Sequence, residues 1–162
     1  MDLVVDFGSS SVKAGFSGDD SPSCVIPSAV SVKGMPDPSL VGSRKDGFEI
    51  NPREGSSPYQ HPIQRGRVVD WDGIQSLWGT LESNLGITSA DIKSVMVAES
   101  PAAKASERSE WAKLLFDTFQ ISSFSVVSSA PLILFAAGRT TGIAIDLGAS
   151  LTSVIPVFGT VT

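Results

Sequence analysis

Apolar and polar positions alternate over short stretches at the start of the chain, at 3–6 (LVVD), 12–16 (VKAGF) and 24–27 (CVIP), separated by Gly/Ser and Gly-Asp-Asp breaks. That pattern predicts three short strands in an antiparallel meander. From 28 to about 60 the texture changes to a Pro-, Gly-, Ser- and charge-rich run, in which only Leu40-Val41 and residues 48–50 could form strands. It reads as a small, loop-rich insertion with little core of its own. Helical spacing then sets in, with Ile74, Leu77, Trp78, Leu81 and Leu85 on one face and Asp70 or Asp72 as the N-cap. Residues 94–98 form a buried-type strand. A second helix is predicted at 103–119, with Trp111, Leu114, Leu115 and Thr118 on one side and Glu107, Arg108 and Glu110 as its charged residues. A strand at 124–127 and a short apolar helix at 131–137, ended by Gly138, follow. The last two stretches, 142–146 and 151–158, make another hairpin.

A meander followed by alternating helix and strand gives an α/β fold, a mixed five-stranded sheet with flanking helices in the ribonuclease-H-like arrangement. The terminal hairpin lies outside that unit and reads as the first two strands of a second copy of it.

The two hairpins carry the candidate chemistry. VVDFGSSSVKAGF begins at Val4 and AIDLGASLTSVIP begins at Ala144, 140 residues later. Each is an extended run ending in Asp, a large apolar residue, Gly, a small residue and Ser. A Gly turn between strands exposes backbone N–H groups, and Ser hydroxyls add donors, a concavity suited to phosphate oxygens. Asp at the strand end can hold a metal-bound water, since Mg²⁺ keeps most of its waters. Asp6, Gly8, Ser9, Ser10 and Ser11 supply these groups in the first copy, with Lys13 on the returning strand as a point charge for phosphate. Asp146 and Gly148 supply them in the second. A single turn of this kind is ordinary turn chemistry; the repeat is what raises it above that.

Composition narrows the partners. Of 162 residues, 41% are hydrophobic and only 18% charged, against the roughly 25% usual in soluble domains. The net charge is −5 and no basic cluster is present, which disfavours binding to nucleic acid. The lone Cys24 excludes an internal disulfide and reads as buried packing in its strand. His61 is the single His, so neither a Ser-His-Asp triad nor a multi-His metal site can be built; it reads as a loop residue. No stretch approaches the ~20 apolar residues of a membrane helix. Asp19-Asp20 reads as a turn, and Trp71 and Trp78 as core.

Several of these motifs together resemble the actin and actin-related protein family. VVDFGSSSVKAGFSGDDSPSCVIPS is similar to the family's opening stretch, HPIQRGRVVDWDGIQSLW to the return from its small subdomain, and LLFDTF with LFAAGRTTGIAIDLGASLTSVIPVF to the crossing into its second lobe. The resemblance implies an actin-like ATPase fold cut to the N-terminal lobe: 1–28 and 61–138 as subdomain one, 29–60 as inserted subdomain two, and 139–162 as the first hairpin of an incomplete subdomain three. It also implies phosphate- or Mg-facing roles for Asp6, Gly8, Ser9, Lys13, Asp146 and Gly148, with Asp6 and Asp146 reaching the metal through water.

Departures from the family pattern erode that site. Phe7 replaces a polar, permissive residue, and Gly148-Ala149-Ser150 lacks the acidic member of the second loop. Ser129 and Ser153 stand where the family has the Gln and His that orient the attacking water, and Arg65 where it has a commonly methylated His. Glu99 resembles the acidic residue after the matching strand, here holding the adjacent turn. Pro36 and Pro38 stiffen the loop at 34–42 that contacts the next subunit in actin filaments. Hydrolysis needs an oriented water and charge stabilisation, so the expectation is a vestigial site, no ATPase activity and weak ATP/Mg contact at most. The expected function is a non-catalytic, actin-related structural subunit of a larger assembly, such as a chromatin-remodelling or cytoskeletal complex, in the cytoplasm or nucleus. A protein partner, or a second copy, would cover the 142–158 hairpin and its neighbouring apolar face, with Gly142, Ile143, Ile145, Leu151, Val154 and Trp111 as contact candidates. Trp111 could equally belong to the core. The alternative is an ATP-binding cytoskeletal protein that forms or caps filaments.

Overall fold

The computed structural model describes residues 1–31 and 59–159. The strands expected near 40 and 48–50, and the loop at 34–42, lie outside the described residues.

The meander forms as the alternation predicts, each strand running to the Gly or Ser that breaks it: β1 (Asp2–Phe7), β2 (Ser11–Phe16) and β3 (Cys24–Pro27). Two short ladders follow, β4 (Val30–Ser31) with β5 (Tyr59–Gln60) and β6 (Ile63–Gln64) with β7 (Arg67–Val68). Then come α1 (Trp71–Leu85), β8 (Ser94–Glu99), α2 (Ala105–Lys113), β9 (Ser123–Ser128), α3 (Ser129–Ala136), β10 (Gly142–Leu147) and β11 (Thr152–Val157).

The main sheet has the order β3-β2-β1-β8-β9, antiparallel on the β1–β2–β3 side and parallel along β1–β8–β9. This is the mixed five-stranded sheet expected from the element order. Its register places one apolar row across all strands: Cys24 and Ile26, Val12 and Ala14, Leu3, Val5 and Phe7, Val95 and Val97, then Phe124. The row is buried beneath Ile74, Leu77, Trp78 and Leu81 of α1 and Trp111 of α2, with Leu114 and Leu115 beyond it. Fully burying side chains of this size stabilises by roughly 1.5–3 kcal/mol each, so this face dominates the fold's energetics.

Helix α1 starts where Asp70, in extended conformation, accepts the Gly73 N–H at 3.0 Å. It stops at Gly86, whose φ of 66° lets the chain leave in a left-handed turn. The second helix differs from expectation. Its α-helical part ends at Lys113 and passes into a π turn, Leu114–Thr118, closed by Phe119 N–H on the Leu114 carbonyl at 3.1 Å. The extra residue in that turn rotates Thr118 off the apolar face and leaves it exposed. Phe119 takes the inward place instead and stacks on Trp78 at 4.8 Å.

Glu107, one of the charged residues of α2, is buried, which its residue type alone did not foretell. Its Oε1 accepts from Lys104 N (3.1 Å) and its Oε2 from Val68 N (3.2 Å), while Arg67 Nε lies 3.6 Å from Oε1. The carboxylate caps its own helix and ties it to the β6–β7 hairpin. Glu99 likewise does more than hold a turn: Arg108 grips it in a bidentate pair at 2.9 and 2.6 Å, which raises the guanidinium pKa above its ordinary value. Cys24 is buried as expected, and burial pushes its thiol pKa up. His61 lies between β5 and β6 and bonds the Ser28 carbonyl through Nδ1 at 2.8 Å.

Candidate functional site: the two hairpin turns

The sequence repeat is also a repeat of geometry. In the first turn Gly8 N–H donates to the Ser11 carbonyl at 3.1 Å; in the second, Gly148 N–H donates to the Leu151 carbonyl at 2.9 Å. Phe7 faces Val12 and Leu147 faces Thr152, so both two-stranded registers close identically. Each glycine is required by the same close approach. A Cβ on Gly8 would sit 2.8 Å from the Ser11 oxygen, and one on Gly148 2.9 Å from the Leu151 oxygen.

The charged groups of the first turn are engaged with one another. Asp6 and Lys13 are directly opposite on β1 and β2, with Lys13 Nζ donating to Asp6 Oδ2 at 3.2 Å; both side chains remain about half exposed. In the second turn Asp146 is exposed, and Ser153 faces it across the strands, where Lys13 faces Asp6 in the first. Ser129 opens α3. Among the described residues, no group of three or more His, Cys, Asp or Glu side chains converges to hold a metal ion.

Tertiary structure brings the two turns into contact. Ser150 Oγ donates to Ser9 Oγ at 2.6 Å and accepts the Arg65 N–H at 2.8 Å. Sequence reasoning placed Ser9 and Gly148 at a phosphate but gave Ser150 no role beyond a lost family residue, and Arg65 none. No local signal marks either, because their meeting spans residues far apart in the chain.

The contact bears on whether phosphate fits here. An oxygen bridging two hydroxyl donors holds their oxygens about 4–5 Å apart, twice the usual O–H···O distance bent at the acceptor. At 2.6 Å, Ser9 and Ser150 leave no room for one. With Lys13 turned to Asp6 as well, the residues between the turns do not fit a bound phosphate chain in this arrangement. Two further cavities are small. One of about 30 Å³ lies by Phe7, Gly66 and Trp111, and a groove of about 190 Å³ by Trp71, Lys113 and Asp117. Both are below the roughly 300–1,000 Å³ of small-molecule sites.

The interaction candidates divide. Ile143, Ile145 and Val154 are exposed, joined by Leu147 and Phe158. Gly142 lies inward against Leu134 of α3, and Leu151 is half-buried beside Gly66. Trp111 belongs to the core: it is buried, 4.9 Å from Phe7 and edge-on to Trp71 at 5.1 Å. No helix among the described residues is long and apolar enough to cross a membrane.

Known proteins share this chain's pattern throughout. The family model for Actin matches residues 1–162. An actin-like protein of Neurospora crassa is 30% identical over 163 residues, a match covering 96% of this chain and 42% of that relative. The chain thus spans less than half the length of that relative. With its mixed five-stranded sheet and paired Asp-x-Gly hairpin turns, the chain belongs to the actin family.

Proposed function

We propose that the chain is a non-catalytic, actin-related structural subunit that works by binding protein partners inside a larger assembly. The observation that carries this reading is the outer face of the β10–β11 hairpin. Ile143, Ile145, Leu147, Val154 and Pro156 share that face by register, and all are exposed. The opposite face packs through Ala144 on α3. A hairpin apolar on both sides has the composition of a sheet covered on both sides. Contiguous exposed apolar surface and unpaired edges are aggregation hazards unless a partner covers them. Exposed Phe135 and Ile133 on α3 add to the apolar surface of this region.

The eroded second turn and the Ser9–Ser150 contact support the absence of hydrolysis and of tight ATP/Mg binding. The net charge of −5 argues against nucleic acid as the direct partner. A protein partner or a second copy of the chain, in the cytoplasm or the nucleus, fits better; a chromatin-remodelling or cytoskeletal complex would supply either.

The test is affinity isolation of the tagged chain from its own cells beside an Ile145→Lys/Val154→Lys variant. A stoichiometric partner present with the parent and lost with the variant, at unchanged circular dichroism, is the expected result. A monodisperse parent monomer that binds no hydrophobic dye and no partner overturns the reading.

A second reading, an ATP-binding protein that forms or caps filaments, draws on one observation: both turns keep the same Gly-centred hydrogen bond. Micromolar ATP binding by calorimetry, or assembly that responds to ATP and Mg²⁺, would establish it over the first.

A further inference from the structure

Three turns distant in sequence meet at the Ser150 hydroxyl. The first is the β1–β2 turn, through Ser9 Oγ; the second is the β10–β11 turn, which holds Ser150 itself; the third is the β6–β7 turn, through Arg65 N–H. The third turn is tight and closely packed. Arg65 and Gly66 form a two-residue hairpin loop with φ of 51° and 71°, the first of them a left-handed conformation that few non-glycine residues adopt. At Gly66 a side chain would run into Ser100 and Leu151, so this loop is pressed against the second turn with no space between. The Arg65 N–H is thereby aimed at Ser150 by backbone geometry, independent of any flexible side chain.

A hydroxyl carries one hydrogen and two lone pairs. That of Ser150 gives its hydrogen to Ser9 and takes one from Arg65. One oxygen of a bound phosphate lying between the turns would accept the Arg65 N–H as the Ser150 oxygen does, and would meet Ser9 with the hydrogen running the other way, from the Ser9 hydroxyl to the anion. We propose that the Ser150 hydroxyl takes the place of a phosphate as the bridge between the two hairpin turns, so that protein alone holds them together and the Arg65 N–H and Ser150 O–H are withdrawn from anions. The inference deepens the non-catalytic reading and rests on it. A site of this kind needs no ligand to keep the second hairpin seated on the first, and the Asp6–Lys13 pair neutralises the nearby cation internally.

Amide hydrogen exchange at Arg65 tests it, with inorganic pyrophosphate as the anion probe. In Ser150→Ala the Arg65 amide loses its acceptor, and its exchange should quicken by about fivefold or more, the factor expected for one modest hydrogen bond. Millimolar pyrophosphate should slow it again in Ser150→Ala and leave the parent chain unchanged. Ser150→Thr, which keeps a hydroxyl, should behave as the parent and separates loss of the bridge from a general disturbance of the turn. The proposal is overturned by an Arg65 amide that exchanges equally fast in parent and Ser150→Ala, by faster exchange that pyrophosphate does not reverse, or by a parent that responds to pyrophosphate as strongly as the variant. Partner capture through Ile145 and Val154 does not involve Ser150. An overturned bridge with capture intact removes this inference alone, and lost capture with the bridge intact removes the assembly reading alone.

Discussion

The first and second hairpins are one design placed in two settings. Adding 140 to a position in the first gives its counterpart in the second: Leu3, Val5 and Phe7 become Ile143, Ile145 and Leu147. The residue types are the same, apolar and spaced two apart, yet the first three are 2%, 0% and 9% exposed and the second three 64%, 61% and 79%. The first hairpin has β3 and β8 on its edges and α1 and α2 over this face. The second is a two-stranded sheet among the described residues, with α3 on its other face. Burial therefore follows from neighbours that the hairpin sequence does not contain. A lone hairpin is marginal in water, so the second depends on α3, on the turn-to-turn contacts at Ser150, and, in the proposed assembly, on a partner.

The same substitution made in both copies gives the largest expected contrast. Val5→Asp should prevent folding or cost more than about 4 kcal/mol, since it buries an unpaired charge beneath α1. Ile145→Asp should change the stability of the isolated chain by less than about 0.5 kcal/mol. Urea unfolding of the two variants measures both, and equal costs would break the comparison. Next comes the seat of the second hairpin. Leu134→Ala, removing a buried α3 side chain that touches Gly142, should cost about 2–3 kcal/mol. Faster exchange should then concentrate in the amides of β10 and β11 and spare β1 and β2.

Smaller effects sharpen the pair further. Gly8→Ala and Gly148→Ala each force a Cβ against a carbonyl oxygen and should cost about 1–3 kcal/mol of local strain. Global unfolding should register the first, whereas local exchange at β10–β11 alone should register the second. Asp70→Ala removes the α1 cap, at about 1 kcal/mol, and should lower the melting temperature without touching exchange in β10–β11.

The smallest effect is a pH dependence on the first hairpin's side. Asp91 accepts from Thr88 N and Oγ1 at 2.9 and 2.8 Å, which lowers its pKa below the ordinary carboxylate value. A carboxyl depressed in the folded state contributes stability above its unfolded pKa, near 4, and loses it as pH falls through the lower folded value. The Asp91 carbonyl holds the N-terminal ammonium, and the Met1 carbonyl takes the Lys93 N–H at the start of β8. Acid titration followed by exchange should loosen Met1 and the start of β1 before β10–β11, and Asp91→Asn should flatten that slope.

Much of the first hairpin's surroundings was legible in the sequence. The period-2 runs at β1–β3 and the 3.6 spacing of Ile74, Leu77, Trp78 and Leu81 follow from side-chain direction along a strand or helix. An Asp N-cap at 70 or 72, which the structure places at Asp70, and Gly138 as helix end follow from local backbone chemistry. The gaps lie where a residue's state depends on distant groups. Glu107 has the composition of an exposed helix residue but is buried by Val68 N–H and the guanidinium of Arg67. Thr118 was assigned inward because 3.6-residue spacing cannot anticipate a π turn, which the packing of Phe119 on Trp78 accompanies. At the candidate site, the repeated Asp-x-Gly turns were visible, whereas the convergence of Ser9, Arg65 and Ser150 was not.

What the sequence determined by itself is the five strands of the main sheet, the helices and the duplication of a Gly-centred turn, because periodicity, caps and turn residues act over a few positions; the two-residue strands of the β4–β5 and β6–β7 ladders are too short to show a period. What only the tertiary structure decided is which copy is covered among the described residues and that the two turns meet at Ser9 and Ser150. Those outcomes depend on side chains up to 141 residues apart, Ser9 and Ser150, coming within 2.6 Å, a distance set by how α3 and the β6–β7 turn pack the second hairpin against the first.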